Sequence, residues 1–238
     1  MTFGPEIARA MLEHACAVFP DESCGLVQGG AYRPMPNLAE DPETDFRMEP
    51  GALAMPGVEA VVHSHPFGPD CPSQADMAAQ IASSLAWGIV VVCADGPRER
   101  PVASPPFWFG DQVPRPPLLG RAFRHGVTDC YALCRDWWLA ETGELLPDFP
   151  RPDRWWAEGG DMLLENFRLA GFEPVPLSQV RRGDGLLFSI PPGKAVDHCA
   201  MYLGEGHILH HLPKRFSRSE PLGRWAKHLR LAVRRAGT

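Results

Sequence analysis

Val58-Glu59-Ala60-Val61-Val62-His63-Ser64-His65-Pro66 closes a short apolar run with two histidines one residue apart, and Ser73 and Asp76 follow downstream. The run from Val58 to Val62 reads as a buried strand that delivers His63 at its end. On extended backbone alternate side chains share a face, so His63 and His65 point to one side. Ser73 to Ala86 reads as a helix, with Ser73 at its start and Asp76 in its first turn. Gly88 to Cys93 reads as a second buried strand. This strand–helix–strand order predicts an α/β unit that holds both histidines and Asp76 at one edge of a sheet.

Two imidazoles and a carboxylate make a three-ligand set, and a catalytic zinc takes three protein ligands while leaving the fourth position to water. Such chemistry also needs a general base. Glu22 is the candidate, because it begins a segment, Ser23 to Gln28, that reads as a strand able to pair in the same sheet. Ser73 can donate a hydrogen bond to an oxyanion. Ahead of these, Ile7, Ala10, Met11, His14, Ala15 and Val18 recur at helical spacing, with Pro5 near the start. Residues 36–57 are acidic, proline-containing and irregular. Glu22, His63-Ser64-His65, Ser73 and Asp76 together resemble the JAMM (MPN+) metalloprotease family, with a match at each motif position. The resemblance covers residues 1 to about 110. It implies a zinc-dependent peptidase or isopeptidase in which His63, His65 and Asp76 hold Zn2+, Glu22 is the general base and Ser73 the oxyanion donor. Cys24 and Cys71, close by, read as small buried residues.

The composition then changes. Pro97, Pro101, Pro105, Pro106, Pro114, Pro116 and Pro117 crowd one stretch, and prolines at this density make a semi-rigid spacer. Phe107-Trp108-Phe109 reads as the last strand of the first module. The expected domains are therefore 1–112 and 118–238.

The second half has a different rhythm. Thr128 and Asp129 are good N-cap types, and Cys130 to Leu139 follows as a helix. Asp161 to Ala170 reads as another helix, ended by Gly171. Leu186 to Ile190, Ala200 to Leu203 and His207 to His211 read as short strands, the last two joined by Gly204-Glu205-Gly206. A helix followed by antiparallel strands is an α+β pattern. A thiol at a helix N-terminus is expected to have a lowered pKa. A nucleophilic cysteine also wants an imidazole, and the imidazole wants an orienting group. Cys130, His198 and His210 come in plausible chain order, although the doublet His210-His211 leaves the third place open between neighbours. Cys134 and Cys199 read as inert core residues, and His207 and His211 as surface or edge residues.

Asp129-Cys130, His198, Tyr202-Leu203-Gly204-Glu205-Gly206 and His210 resemble the NlpC-type cysteine peptidases, papain-like enzymes that cut bacterial cell-wall stem peptides. The resemblance implies Cys130 as nucleophile, His198 as base and His210 as orienting residue. This chain has Asp129-Cys130-Tyr131-Ala132 where typical members have Asp-Cys-Ser-Gly. Phe123 and His125 stand in the region where a tyrosine usually precedes the cysteine. The two modules in one chain, with Cys134-Arg135-Asp136-Trp137 and Trp155-Trp156, resemble the tail-tip assembly K family of lambda-like phages. That implies other tail-tip proteins and peptidoglycan stem peptides as partners. It also implies synthesis in the host cytoplasm, a place in the virion tail tip, and roles in tail assembly and wall penetration. The alternatives are a processing peptidase of tail proteins and a structural tail component with dispensable catalysis. Trp137, Trp138, Trp155 and Trp156 read as core before sugar platform.

Composition agrees with a globular chain: 45% of the 238 residues are hydrophobic and 22% charged, enough to bury a core in either module. Net charge is −6, but from Lys214 onward only Glu220 is acidic among many bases. That run reads first as a solvated basic face, and otherwise as a contact for an anionic partner such as cell-wall polymer or another subunit. No basic stripe interleaved with aromatics supports nucleic-acid binding. No apolar run is long enough to span a membrane, and Met1 to Pro20 reads as helix and not as a signal peptide. Seven scattered cysteines suggest thiols kept reduced.

Overall fold

The computed structural model describes residues 3–96, 99–153, 155–158, 160–191 and 195–237, so Pro97 of the proline-rich stretch lies outside them. The chain divides into two units, Met1–Pro114 and Arg115–Thr238. No helix among the described residues is long and apolar enough to cross a membrane.

In the first unit, helix α1 (Pro5–Val18) precedes strands β1 (Cys24–Gln28), β2 (Ala31–Met35) and β3 (Val58–Pro66). Helix α2 (Gln74–Ser83) and strands β4 (Ala86–Cys93), β5 (Val102–Ala103) and β6 (Phe107–Phe109) follow. The sheet order is β2-β1-β3-β4-β5, with β6 also on β4. β3 and β4 are parallel, joined by α2, and the other pairs are antiparallel. Because side chains alternate, Ala60 and Val62 face α1, where they pack with Met11, Ala15, Val27 and Val90. Val61, His63 and His65 face the other way. The strand predicted over Val58–Val62 thus runs on through both histidines to Pro66.

Helix α2 is shorter than its apolar pattern suggests. Ser84 adopts the left-handed conformation and its N–H closes on the Gln80 carbonyl. Ala86 and Trp87 are instead drawn into the sheet, where both are buried.

In the second unit, α3 (Cys130–Thr142) and α4 (Met162–Asn166) precede β7 (Phe172–Val175), β8 (Gly185–Phe188), β9 (His198–Gly204), β10 (His207–His210), β11 (Arg218–Pro221) and β12 (Leu229–Arg235). They form an antiparallel sheet of order β11-β10-β9-β8-β12-β7. One face packs Leu187, Cys199, Met201 and Leu209 against Leu133, Cys134 and Trp137 of α3. The other buries Leu186, Phe188, Ala200 and Ile208 beneath Trp225. Gly143 ends α3 at φ +76°, its N–H bonded to the Leu139 carbonyl, a conformation that costs glycine little. The helix expected over Asp161–Ala170 is regular only to Asn166; looser turns carry the chain on to Gly171, at φ +79°.

Trp137, Trp138 and Trp155 are core residues, and Trp156 is partly buried against them. The C-terminal bases are partly engaged within the unit. Arg234 makes a two-pronged pair with the buried Asp184, at 2.8 and 2.9 Å. Arg235 pairs with Glu144, and Arg224 with Glu220. Internal pairing thus accounts for part of a charge run that read as a solvated face or a partner contact.

Candidate functional site

Two groups of reactive side chains stand out, one in each unit. In the first, the outer end of β3 places His63 Nε2 3.0 Å from His65 Nε2. Asp76 reaches in from α2, with Oδ1 3.2 Å from His63 Nε2 and Oδ2 3.4 Å from His65 Nε2. Among the described residues this is the one group in which three such donor atoms lie within 4.8 Å of one another. Tetrahedral coordination at ~2.0–2.2 Å would hold neighbouring donors roughly 3.3–3.6 Å apart. The trio therefore fits a tetrahedral cation with little adjustment. His65 Nδ1 donates to the Pro69 carbonyl at 2.8 Å, which leaves the Nε2 lone pair aimed at the shared point, as an orienting partner for a metal ligand should. His63 is held by packing: Phe46 stacks on its ring at 4.5 Å and Trp87 meets it edge-on at 5.8 Å. His63 Nδ1 is buried without a hydrogen-bond partner.

Asp76 is the third residue of α2 and forms a capping box with Ser73. Its Oδ2 accepts from the Ser73 N–H and from the Ser73 hydroxyl, both at 2.7 Å. Burial opposes its ionisation, but the two histidines and Ser73 outweigh that and hold its carboxyl well below the ordinary range. Burial lowers His63, whereas in His65 the hydrogen bonds it donates to the Asp76 carboxylate and the Pro69 carbonyl overcome burial and raise the pKa. The single hydrogen of the Ser73 hydroxyl is committed to Asp76 here, so it serves an oxyanion only after turning away. Glu22 is buried just ahead of β1, where Ser23 and Ser64 exchange hydrogen bonds of 2.8 and 3.0 Å. Burial, with the nearby Asp76 and Asp45, pushes it up to about 8 against the pull of His65. Cys24 and Cys71 are buried and stand outside the trio.

In the second unit, Asp129 caps α3. Its Oδ1 accepts from Ala132 N–H, and its Oδ2 from Gly126 N–H and Arg151 Nε, each at 2.9 Å. Burial works against the charge, yet Arg151 keeps the carboxyl low. Arg151 is 1% exposed and also binds Asp148 Oδ1 at 2.6 Å. Cys130 begins the helix and engages both His198 and Cys199. His198 Nε2 lies 3.0 Å from His210 Nδ1, and His210 Nε2 lies 2.6 Å from Glu220 Oε1. These contacts fix the tautomers. A carboxylate only accepts, so His210 donates from Nε2 and accepts at Nδ1. His198 then donates from Nε2, and its Nδ1 lone pair is left for the Cys130 proton. Burial lowers the His210 pKa against the pull of Glu220, which favours the neutral ring that this chain of bonds requires.

Some expectations change. The Cys199 thiol and burial push the Cys130 pKa well above its usual value, with His198 pulling the other way, so the lowering expected from the helix terminus is outweighed. His211 is a buried residue, not a surface one, with Nε2 3.1 Å from the Arg215 carbonyl and its ring edge-on to Phe123 at 5.1 Å. Its neighbour His210 is the one that meets His198. Phe123 and His125 both line the cleft beside Cys130, a cavity of about 550 Å³ also bounded by Arg151, Trp156 and Asp197. His125 donates from Nε2 to the Arg151 carbonyl at 3.1 Å, so when neutral it has no second N–H for an oxyanion. Sequence reasoning missed Glu220 and Arg151. The signal for Glu220 was its isolation as the sole acid in a basic tail.

Residues 107–235 match the NlpC/P60 family, and residues 5–104 match the prokaryotic homologs of the JAB domain. The tail tip assembly protein K of Escherichia phage lambda is 40% identical over 165 residues, 68% of this chain and 74% of that protein. The tail tip assembly protein K of Escherichia phage N15 is 28% identical over 226 residues, 90% of this chain and 87% of that protein. The crystal structure of the NlpC/p60 domain of the peptidoglycan hydrolase SagA aligns with a TM-score of 0.34 at 23% identity, over 49% of this chain and 88% of that one. The chain belongs to the NlpC/P60 family and to that of the tail tip assembly proteins K, with a JAB-like domain ahead of its NlpC/P60 domain.

Proposed function

We propose that this is a tail-tip protein whose second unit is a cysteine endopeptidase of peptidoglycan stem peptides, acting in tail assembly and wall penetration. The observation that carries this is the hydrogen-bonded series His198–His210–Glu220 set against Cys130. Cys130 passes its proton to His198 Nδ1, and the thiolate attacks the scissile carbonyl carbon. His198, now an imidazolium held through His210 by Glu220, returns the proton to the leaving amine. Water then attacks the thioester, with His198 as base, and frees Cys130. The Cys130 N–H lies in the first turn of α3, where intrahelical partners are lacking, and is the donor for the oxyanion. The test is digestion of purified sacculi: wild type releases stem-peptide fragments and Cys130→Ala does not. Equal release would sink the reading.

The first unit supports a second reading, a zinc peptidase or isopeptidase that processes a tail protein, because three ligand atoms converge as a tetrahedral ion requires. Zinc bound by His63, His65 and Asp76 would supply Lewis-acid activation of a water and of the scissile carbonyl. Glu22 takes the proton of the attacking water and passes it to the leaving amine. Ser73 keeps Asp76 in place, and its hydroxyl, once turned away from Asp76, is the donor for an oxyanion. His63→Ala should leave a tail partner uncleaved, and an unchanged virion protein pattern would count against this role. Viable phage carrying both Cys130→Ala and His65→Ala would instead favour a purely structural part.

A further inference from the structure

Three thiols lie in a row at the seam between α3 and β9. Cys130 and Cys134 are four residues apart on the helix and so share a face. Cys199, from the facing strand, sits between them: its Sγ is 3.7 Å from Cys134 Sγ, and its thiol also engages Cys130. Cys134 and Cys199 are both buried, and all three cysteines are free thiols. The three sulfurs do not converge as a metal site would, since among the described residues only His63, His65 and Asp76 do so. A disulfide needs ~2.05 Å between sulfurs, so the Cys134 and Cys199 sulfurs, in contact at 3.7 Å, need approach by only about 1.7 Å.

We propose that Cys199 is a resolving thiol for Cys130 and that Cys134 completes a thiol relay, making this seam an oxidative modification site for hydroperoxides. Its effect on activity rests on the reading of Cys130 as nucleophile. In the first step Cys130 passes its proton to His198 and the thiolate attacks the peroxide: the O–O bond breaks, sulfur is oxidised to the sulfenic acid, and the alcohol leaves with the proton that His198 returns. Cys199 then attacks the sulfenyl sulfur; the S–S bond forms, the S–O bond breaks, and hydroxide departs with the thiol proton as water. Cys134 next attacks the Cys199 sulfur. The bridge moves to Cys134–Cys199 and Cys130 leaves as thiolate, regaining a proton. One hydroperoxide and two thiols thus become one disulfide, an alcohol and water, and the nucleophile is restored.

The experiment treats the reduced full-length protein with hydrogen peroxide added in successive single equivalents, because the bridge consumes one and the sulfinic acid two. Remaining thiols are then blocked, and the bridges are mapped by fragment spectra of an unreduced digest. The expected result is a mass loss of two hydrogens, a Cys130–Cys199 bridge at early times and a Cys134–Cys199 bridge later. Cys134→Ser should trap the first bridge. Cys199→Ala should form no bridge and should carry Cys130 on to the sulfinic acid. Circular dichroism checks that both variants fold. Wild type that gives sulfinic Cys130 without a bridge, as fast as Cys199→Ala, overturns the proposal. A first bridge that never moves overturns the relay step. The mass readout does not depend on peptidase activity, so a protein that forms both bridges yet digests no sacculi refutes the peptidase reading and leaves this one standing.

Discussion

Glu220 is the residue on which the proposed cysteine centre is most exposed to refutation. Its Oε1 accepts from His210 Nε2 at 2.6 Å and from Trp225 Nε1 at 3.1 Å, and its Oε2 accepts from Arg224 at 2.5 Å. Glu220→Gln keeps an acceptor in reach of His210 and removes the charge. A hydrogen bond to a charged partner contributes ~1.5–3 kcal/mol and a neutral one ~0.5–1.5, so about 1–1.5 kcal/mol is at stake. That loss falls mainly on the state in which His198 carries the Cys130 proton. It therefore appears as about a tenfold drop in kcat, with KM little changed. The lost pairing with Arg224 adds little, because that guanidinium is 59% exposed. Glu220→Ala goes further: it leaves a donor of the buried His210 without a partner, which costs about 1–3 kcal/mol of stability as well.

The assay is kcat and KM on a soluble stem peptide, with thermal melts to confirm the fold. The decisive comparison repeats Glu220→Gln in a His210→Asn background. If Glu220 acts through His210, the second substitution removes most of what the first had left to lose, and the cycle is strongly non-additive. Equal effects in both backgrounds would refute the chain of bonds. So would a well-folded Glu220→Gln protein with unchanged kcat.

Other outcomes follow from the same geometry. Purified wild type should carry about one zinc per chain by elemental analysis, as a three-ligand site requires; Asp76→Ala should lose it, while Glu22→Gln, outside the ligand set, should keep it. Arg151→Met leaves the buried Asp129 without its counter-charge and should cost about 3–5 kcal/mol in denaturant unfolding of the second unit. The Asp129 carboxyl sits below its unfolded value of about 3.9. Its stabilisation is therefore complete above that value and lost as pH falls through the folded one. Urea midpoints measured from pH 5 downward should drop, and Asp129→Asn should flatten that dependence.

How far the sequence speaks depends on where each residue's partners lie. The apolar runs of β3, β4, β8 and β9 belong to central strands, buried on both faces, and their composition shows it. The strands that escaped are mostly edges. β2 holds Pro34, β7 holds Pro174 and β11 ends on Pro221, and each lies at an end of its sheet. Proline is tolerated there because one side of the strand has no ladder to feed, but the same proline erases the alternation by which a strand is recognised. β12 is internal and was hidden for another reason: Arg230, Arg234 and Arg235 gave it the look of a charged tail until Asp184 and Glu144 were seen to meet the last two. Cys130 and Asp76 were legible because a helix start is a local signal. The rise in the Cys130 pKa was not, since it comes from Cys199, which only the packing of α3 on β9 brings near.

The two centres share one device and differ in how they are completed. In each, a helix cap fixes a reactive group: Asp76 belongs to the capping box of α2, and Asp129 caps α3 beside Cys130. A cap satisfies backbone donors that would otherwise be orphaned, so its side chain is held more tightly than a surface group. The metal-type trio then closes within fourteen residues, counting from His63 to Asp76, on a strand and helix adjacent in sequence. The cysteine centre must gather Cys130, His198, His210 and Glu220 across α3 and three strands. Its last member stands on β11, which among the described residues pairs only with β10 and is an edge. Edge elements open at lower free energy than the core they flank. Release of β11 would free His210 to turn and would uncouple His198 while Cys130 stayed in place. In the proposed peptidase, the reactivity of the thiol and its competence as a nucleophile are therefore separable properties, governed by different elements of the same fold.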